Sequence, residues 1–293
     1  MYPAAFDYFA PQNLKEAVEL ADRYGEDAKF LAGGQSLAPL LKLRLVRPKY
    51  LIDLNHLPGL NHIKEEDGFI RCGAMSRHIQ FEESELFNRR IPLVSEAAAH
   101  IADVQVRNRG TIGGALAEAD PAGDWGPVVL ALNARLKCVG PHGERWLEAK
   151  DFFDFAYSTK LQNHELVTEI HFPLPGEGST GAYLKMERVA GDFAIVSVAV
   201  QMRLDEGGVC RQIGIGLGGV DVAPRKPNSV ERFMLGNKVD GGVVHEACRL
   251  LDGEVDPLSD QRGSAAYKRR VLNVLFKRTV TAALNRTEKI ISK

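Results

Sequence analysis

The sequence lacks the clustered cysteines that hold zinc ions or iron–sulfur clusters. Its four cysteines, Cys72, Cys138, Cys210 and Cys248, are far apart and form no C-x-x-C pair. Structural zinc sites and iron–sulfur clusters need several thiolates at close spacing. We therefore expect no metal site in this chain, and free thiols in a reducing cytoplasm.

Long apolar runs and a strong net charge are absent as well. No run approaches the roughly 20 residues that a membrane span needs, and residues 1–10 do not have the pattern of a secretory signal. The 37 Lys and Arg residues nearly balance 38 Asp and Glu residues, which leaves a net charge of -1. This balance disfavours nucleic acid or an anionic membrane as a partner. A solvated helix face is expected for one local basic cluster, Lys268, Arg269, Arg270, Lys277 and Arg278.

Motifs for nucleophilic, acid–base or metal catalysis are also missing. The sequence has no phosphate-loop lysine motif, no G-x-S-x-G elbow and no H-E-x-x-H pair. Its eight histidines are scattered, and His56, His62, His78 and His100 have no second histidine at metal-ligand spacing. We expect each of them to be a surface or core histidine, and we predict no catalytic residue and no metal ligand in this chain.

Hydrophobic periodicity divides the chain into two unequal parts. Helix and strand alternate over the first 56 residues, and a hairpin is expected at Asp67-Gly68. A proline- and glycine-rich segment at residues 173–178 predicts the boundary, after which three strands and then helices follow. The length of 293 residues suits two domains. The predicted fold class is α+β, with a mixed domain over residues 1–176 (lobes about 1–56 and 57–176) and a domain of three strands plus helices over residues 177–293.

Two glycine-rich turns each follow an apolar segment and pair glycines with a hydroxyl group. They are Ala32-Gly33-Gly34-Gln35-Ser36 and Gly110-Thr111-Ile112-Gly113-Gly114. Because glycine lacks a Cβ atom, a ligand can approach the backbone, and several N–H groups can face one concavity that suits an anion. For either motif alone an ordinary tight turn is the better interpretation. Together they favour a dinucleotide whose pyrophosphate is held from both sides.

A third glycine-rich run resembles a nicotinamide-nucleotide motif but lacks its context. Residues 214–219 match G-x-G-x-x-G, yet Val220-Asp221-Val222-Ala223-Pro224 comes next as an extended, proline-broken segment. The motif holds a pyrophosphate only where a helix opens after it. We therefore predict close packing of a glycine-rich strand here instead of a nucleotide site.

Two carboxylates follow the second turn. Asp120 and Asp124 lie four residues apart in a stretch of small residues. They can accept hydrogen bonds from ribose or ribityl hydroxyl groups, and solvated loop acids are the alternative. Of the two, Asp124 is the predicted sugar contact.

In this context the two turns resemble the flavin-binding turns of the medium subunits of the xanthine dehydrogenase family. Carbon monoxide dehydrogenase, quinoline oxidoreductase and the nicotine and caffeine dehydrogenases have such subunits. The resemblance covers nearly the whole chain. It is carried by Ala32 to Leu37, Val106 to Gly114, Ala119 to Ala122, Asp192 to Ala194 and Leu217 to Gly219.

The resemblance implies a two-lobed FAD-binding domain of the vanillyl-alcohol-oxidase (PCMH) type, followed by the family's C-terminal domain. FAD would lie between the lobes, with its pyrophosphate on the two turns. Asp124 would hold sugar hydroxyls, Lys185 would reach the flavin region, and Phe193 would lie near the isoalloxazine. The full set of implied cofactor-binding residues is Lys29, Leu31, Ala32, Gly33, Gly34, Gln35, Ser36, Leu37, Ile101, Ala102 (these two on the adenine side), Gly110, Thr111, Ile112, Gly113, Gly114, Ala117, Asp124, Lys185 and Phe193.

Two positions depart from the family pattern. Glu118 stands where relatives often have histidine, and Phe193 stands where several have tyrosine. Both bear on the local environment of the flavin. FAD binding itself depends on the turns.

The resemblance implies that this chain carries electrons. A large partner with a molybdenum cofactor would oxidise the substrate, and [2Fe-2S] clusters in a small partner would deliver the electrons to FAD, in a cytoplasmic dimer of heterotrimers. An external acceptor would then take them. The lack of cysteine clusters agrees with this division of cofactors. The alternatives are a stand-alone FAD-dependent oxidase, active as a single chain, and a non-catalytic assembly subunit without flavin.

Overall fold

The structure is a computed structural model that describes residues 2–162 and 164–291, with the side chains of the last helix through residue 286. The strands are β1 (Asp7–Phe9), β2 (Ala28–Leu31), β3 (Tyr50–Asp53), β4 (Ile63–Glu66), β5 (Phe69–Gly73), β6 (Arg135–Gly140), β7 (Gly143–Glu148), β8 (Phe153–Phe155), β9 (Ser158–Thr159), β10 (Leu166–Pro173), β11 (Ser179–Met186), β12 (Val196–Leu204) and β13 (Cys210–Gly218). The helices are α1 (Leu14–Tyr24), α2 (Leu37–Lys42), α3 (His78–Glu82), α4 (Glu85–Arg90), α5 (Pro92–Ala99), α6 (Val104–Arg109), α7 (Ile112–Glu118), α8 (Trp125–Ala131), α9 (Ala149–Phe152), α10 (Asn228–Met234), α11 (Gly241–Glu254) and α12 (Ala265–Ile291).

A small parallel sheet in the order β1-β3-β2 opens the fold. Helix α1 covers it, and begins where the sequence predicts, because Asn13 Oδ1 accepts the Glu16 N–H at 2.9 Å. The Glu16 carboxylate accepts from Gln12 N–H at 2.8 Å, one residue before the cap. Ala17 and Ala21 on this helix bury against the sheet. The packing of α1 on the sheet holds β2 in place, and the first glycine-rich turn follows the carboxyl end of that strand.

A five-stranded antiparallel sheet in the order β4-β5-β10-β6-β7 carries the main core. The predicted hairpin is confirmed, since Asp67 and Gly68 both have positive φ, 51° and 78°, as a two-residue hairpin turn requires. Helices α3 to α5, α7 and α8 contribute to the same core, around Trp125 and Phe172. Strand β7 was not predicted, because its side chains are exposed or half-buried and show no apolar alternation.

The predicted three-stranded sheet is confirmed as the antiparallel order β11-β12-β13. Alternate residues of β12 belong to different cores: Val198 and Val200 pack with α12, and Ala199 packs with the core that contains α8. The sheet thus lies between α12 on one face and α5 and α8 on the other. The fold class is α+β, as predicted. None of the helices in the described part of the chain is both long and apolar enough to cross a membrane.

The glycines of β13 allow α8 to lie directly on the strand backbone. A Cβ atom on Gly214 would lie 1.9 Å from Ala131 O, and one on Gly216 would lie 1.9 Å from Pro127 O. No side chain fits at that distance, so glycine is required by the helix that packs there. The third glycine-rich run is therefore a packing motif, which confirms the prediction made from its context.

We predict that Gly216→Ala destabilises the protein by about 3 kcal/mol, near the upper end of what overpacking usually costs. The new methyl group would separate α8 from β13. Urea unfolding measures the free energy. The matched control is Gly253→Ala, at an exposed helical site with nothing within 4 Å, where alanine should be neutral or stabilise by up to about 1 kcal/mol. Equal stability of both variants would contradict the packing explanation.

Candidate functional site

The two predicted glycine-rich turns lie directly against each other. A Cβ atom on Gly33 would lie 2.4 Å from Arg109 O and 2.7 Å from Gly110 Cα. A Cβ atom on Gly114 would lie 3.5 Å from the Cβ of Ala32. The first turn follows the parallel sheet, and the second lies among the helices that cover the antiparallel sheet. The two layers therefore meet backbone to backbone, at a distance that only glycine permits.

The first turn presents a row of free backbone donors. Gly34 adopts a left-handed φ of 73°, and Gln35 Nε2 closes the turn by donating to Gly33 O at 2.9 Å. Within residues 2–162 and 164–291, the N–H groups from Gly33 to Ser36 find no protein acceptor. The Ser36 side chain is exposed and does not cap α2. Four adjacent donors, two of them on glycines, suit the oxygen atoms of a pyrophosphate.

The second motif is the start of a helix, not a loop. Thr111 Oγ1 accepts the Gly114 N–H at 3.1 Å and so caps α7. The N–H groups of Ile112 and Gly113 donate to the antiparallel strand region, at Ser76 O and Ala74 O, over 3.1 and 2.9 Å. The expectation of several free N–H groups in this motif is therefore wrong, because capping by Asp103 and Thr111 turns the run into two short helices. Gly114 and Ala117 still leave a small, partly exposed surface beside the first turn.

Arg77 and Asn55 connect the two turns, and the sequence analysis did not identify them. Arg77 donates to Arg109 O, in the second motif, and to Asn55 Oδ1 at 2.5 Å. Asn55 Nδ2 in turn donates to Ala32 O, at the first turn, over 2.9 Å. Asn55 follows Asp53 at the carboxyl end of β3. The carboxyl ends of adjacent parallel strands share an edge of the sheet. A polar residue just after β3 could therefore have indicated, from the sequence, a contact with the turn that follows β2.

His78 supports the second motif from the buried side. The backbone N–H of His78 donates to Gly110 O at 3.1 Å. A Cβ atom on Gly110 would lie 2.6 Å from Nε2 of the His78 ring. Trp125 Nε1 donates to its Nδ1 at 3.1 Å. Burial, together with Arg77 and Arg107 nearby, lowers the pKa of His78 to about 3, so the ring is neutral at ordinary pH.

A second group of predicted residues lies around one buried lysine, Lys185. The side chain of Lys185, on β11, is fully buried. Its Nζ donates to His100 O and Asp192 O at 2.8 and 2.9 Å, and lies 3.1 Å from both Asp124 Oδ1 and Glu187 Oε2. Lys185 thus joins the end of α5, the start of α8 and the loop that follows β11.

Asp124 is buried, and one of its oxygen atoms is already occupied. The Tyr183 hydroxyl donates to Asp124 Oδ1 at 2.5 Å, and Lys185 contacts the same atom. Burial raises the pKa of Asp124, while Lys185 and Tyr183 oppose that rise. In this structure Asp124 holds Lys185 in place, and its contact with sugar hydroxyls stays a prediction.

The adenine-side pair of the resemblance, Ile101 and Ala102, touches the loop after β11. Arg107 donates to the carbonyl oxygens of both residues at 3.0 Å. A Cβ atom on Gly191 would lie 2.6 Å from Ala102 O. Phe193, at the end of that loop, has 45% of its surface exposed. The structure therefore brings Ile101, Ala102, Asp124, Lys185 and the backbone next to Phe193 into one connected group.

Lys29 lies on β2, the strand that leads into the first turn, and its contact with FAD stays a prediction. It is exposed on β2 and lines a cleft of about 510 Å³ with Gly25, Glu26 and His164. That cleft includes none of the turn residues, so it does not mark a dinucleotide site. FAD, the cofactor that the resemblance implies, fits the free donors and bare backbone of the first turn. No group of three metal-ligating side chains occurs among the described residues.

Two family models match this chain. The model described as "FAD binding domain in molybdopterin dehydrogenase" matches residues 4–175, and that described as "CO dehydrogenase flavoprotein C-terminal domain" matches residues 181–283. Between them they span most of the sequence.

Curated relatives and solved structures cover nearly the whole chain. The glyceraldehyde dehydrogenase medium chain of Sulfolobus acidocaldarius is 38% identical over 94% of this chain and 97% of its own length. The carbon monoxide dehydrogenase medium chain of Afipia carboxidovorans is 35% identical over 98% of this chain and 100% of its own. A solved structure of the Hydrogenophaga pseudoflava carbon monoxide dehydrogenase, lacking the Mo-pyranopterin moiety, contains a chain with a TM-score of 0.95 and 39% identity over 98% of this chain and 99% of that one.

We predict that Gly33→Val and Gly113→Val each weaken flavin binding by roughly tenfold or more, since overpacking costs about 1–3 kcal/mol. Valine at position 33 would push the turns apart, and at position 113 it would overlap Ala74. Flavin content of the purified protein measures the effect, and circular dichroism checks that the fold is retained. The control is Gly241→Val, at a site with nothing within 4 Å. Full flavin occupancy in both turn variants would show that the turns are only structural.

We predict that His78 makes the protein less stable as the pH falls below about 6.5. The unfolded chain takes up a proton near that pH, whereas the buried ring takes one up only near pH 3. The stability is therefore fully present above pH 6.5 and is lost on acidification, by up to about 1.4 kcal/mol per pH unit. His78→Gln, which keeps an acceptor for Trp125, should show a flatter profile in urea unfolding between pH 7 and 5. Parallel profiles would contradict the assignment.

Proposed function

Because the chain belongs to the family of FAD-binding medium subunits of multi-subunit molybdenum hydroxylases, we propose that it passes electrons from a metal-containing partner to an external acceptor. It is an oxidoreductase subunit, and substrate oxidation takes place in another chain. The observation that carries this proposal is the free row of backbone donors at the first turn, within a chain that matches the family over both of its parts.

FAD is the cofactor of this chain. When bound, it supplies the redox chemistry, taking up electrons from the partner and releasing them to the acceptor. The protein's part is to bind and orient the cofactor. It also sets the electrostatic environment through the buried Lys185 and Asp124 and the half-buried Glu187.

We assign the pyrophosphate to the first turn, with the N–H groups of Gly33 to Ser36 and the Ser36 hydroxyl as donors. The free donors support this assignment, and the contact with Gly110 supports a second boundary at α7. Ile101 and Ala102 would flank the adenine side, and Phe193 the isoalloxazine. The remaining proposed contacts are Lys29, Leu31, Ala32, Leu37, Thr111, Ile112, Gly113, Gly114, Ala117, Asp124 and Lys185.

We propose that the chain divides at residue 176. The FAD-binding domain would comprise residues 1–176, with lobes of about 1–56 and 57–176, and the C-terminal domain residues 177–293. The parallel sheet, the five-stranded sheet and the three-stranded sheet, in that order along the chain, support this division. Each sheet also has most of its buried residues in a different core, although Tyr183 and Ala199 of the three-stranded sheet belong to the core of the five-stranded sheet.

The proposed partners are a large subunit with a molybdenum cofactor and a small subunit with [2Fe-2S] clusters. The relatives are named as medium chains of dehydrogenases, which supports a three-chain unit. Further proposals are that two such units pair as a dimer of heterotrimers, and that the complex lies in the cytoplasm.

We predict that the isolated subunit is reduced by dithionite but not by the substrate of the assembled complex. The sequence contains no recognisable cluster of metal ligands and no recognisable nucleophile with a general base beside it. The measurement is the loss of the visible absorbance of the oxidised flavin, because the flavin carries the redox chemistry. Adding both partner subunits should restore bleaching by substrate.

The same experiment separates the alternatives. Bleaching of the metal-free, single chain by substrate, at the rate of the complex, would establish a stand-alone oxidase. A colourless subunit, purified from the intact complex, would establish a non-catalytic assembly role. Either result would overturn the electron-transfer proposal.

A further inference from the structure

The ring of Phe193 is held by its own loop on the backbone side only. Its N–H donates to Asp192 Oδ1 at 2.8 Å, and Asp192 O accepts from the buried Lys185 at 2.9 Å. The ring itself is 45% exposed and is not part of any of the three buried cores. A contact from outside the loop is therefore needed to fix its orientation.

A rigid turn of the C-terminal part lies opposite this ring. Asp260 and Gly263 exchange both backbone hydrogen bonds, and Asp260 Oδ1 accepts the N–H groups of Arg262 and Gly263 at 2.8 and 3.1 Å. Asp260 Oδ2 accepts from Lys268 Nζ at 2.8 Å, and the Lys268 side chain is only 6% exposed. This ion pair, whose lysine is buried and whose carboxylate is partly exposed, anchors the turn that carries Arg262 to α12.

Arg262 reaches across to the aromatic ring. The central carbon of its guanidinium lies 5.4 Å from the centre of the Phe193 ring, within the range of an attractive cation–π contact. Arg188, on the same loop as Phe193, donates to Gln261 O at 3.4 Å. The loop and the turn thus meet at two points. Among the described residues, the Arg262 side chain has no other hydrogen-bond or ion-pair partner.

The guanidinium also lies near Tyr157, in the FAD-binding part of the chain. Burial raises the pKa of Tyr157, as do the carboxylates of Asp120 and Glu118, whereas Arg262 lowers it. Tyr157 is tied to Asp120 through its hydroxyl at 3.2 Å. Arg262 therefore contacts the Phe193 ring directly and acts on Tyr157 only electrostatically.

We propose that Arg262 is a positioning residue, whose guanidinium holds the Phe193 ring in a fixed orientation beside the flavin. This inference rests on the proposed function, because the family resemblance places Phe193 near the isoalloxazine. A ring in one orientation should strengthen the visible circular dichroism of the bound flavin and slow flavin release. A ring that turns freely should weaken the dichroism and allow faster release. Arg262 thus influences a cofactor that it reaches only through Phe193.

The test uses Arg262→Ala, Arg262→Lys, Phe193→Leu and the double variant Arg262→Ala/Phe193→Leu, each in the assembled complex. Visible circular dichroism of the bound flavin and the rate of flavin release are measured. In Arg262→Ala we expect weaker flavin bands and release that is roughly two- to five-fold faster, the range that a single cation–π contact supports. Lysine should restore part of both, because an ammonium group also binds an aromatic face. In the Phe193→Leu background, removing Arg262 should add nothing.

The matched control is Arg249→Ala, an exposed arginine on α11 whose side chain pairs with Glu246 at 3.4 Å; it should behave as the native complex. Native flavin bands and release in Arg262→Ala would overturn the inference while leaving the proposed function intact. An equal effect of Arg262→Ala with and without the Phe193 ring would overturn it too, because Arg262 would then act independently. A native complex without flavin would instead overturn the proposed function itself.

Discussion

The close approach of Gly33 to the backbone of Arg109 and Gly110 is the constraint on which the candidate site depends. A single added carbon at position 33 would lie 2.4 Å from a carbonyl oxygen, so the first turn and the second motif can meet only without side chains. Arg77 and Asn55 then connect the same two segments through hydrogen bonds. These bonds occupy the carbonyl oxygens of Arg109 and Ala32. The N–H groups of Gly33 to Ser36 have no acceptor among the described residues, so they remain for a ligand.

Lys185 plays the corresponding role for the second half of the site. A buried ammonium group is tolerated only with close partners, and Lys185 has two carboxylates and two carbonyl oxygens around it. Those partners come from the end of α5, from the residue before α8, and from the residues that come after β11. The charge therefore requires the three-stranded sheet and the helices of the FAD-binding part to assemble together. This positions the loop that ends in Phe193 beside the Ile101–Ala102 turn.

Glycine serves two different purposes in this chain, although the sequence motifs look alike. At Gly33 and Gly34 it leaves backbone donors accessible and permits a left-handed φ. At Gly214 and Gly216 it makes room for α8 on a strand whose backbone is already paired. The two runs differ in the segment that comes after them, since a short helix succeeds the first and an extended, proline-broken segment succeeds the second. That local context is enough to distinguish the two runs from the sequence alone.

The sequence by itself determined the α+β class, the cap at Asn13, the hairpin at Asp67-Gly68 and the positions of the two glycine-rich motifs, because caps, tight turns and apolar periodicity are properties of neighbouring residues. The family resemblance, carried by the two motifs, supplied the cofactor. Only the tertiary structure decided that the second motif is helical, since its N–H groups find acceptors at Ala74 and Ser76, which are distant in sequence. It also decided the roles of Arg77, Asn55 and Arg262 and the partners of Lys185. The bond from Lys185 to His100 joins residues 85 positions apart, and no local pattern of residues encodes a contact between chain segments that meet only after folding.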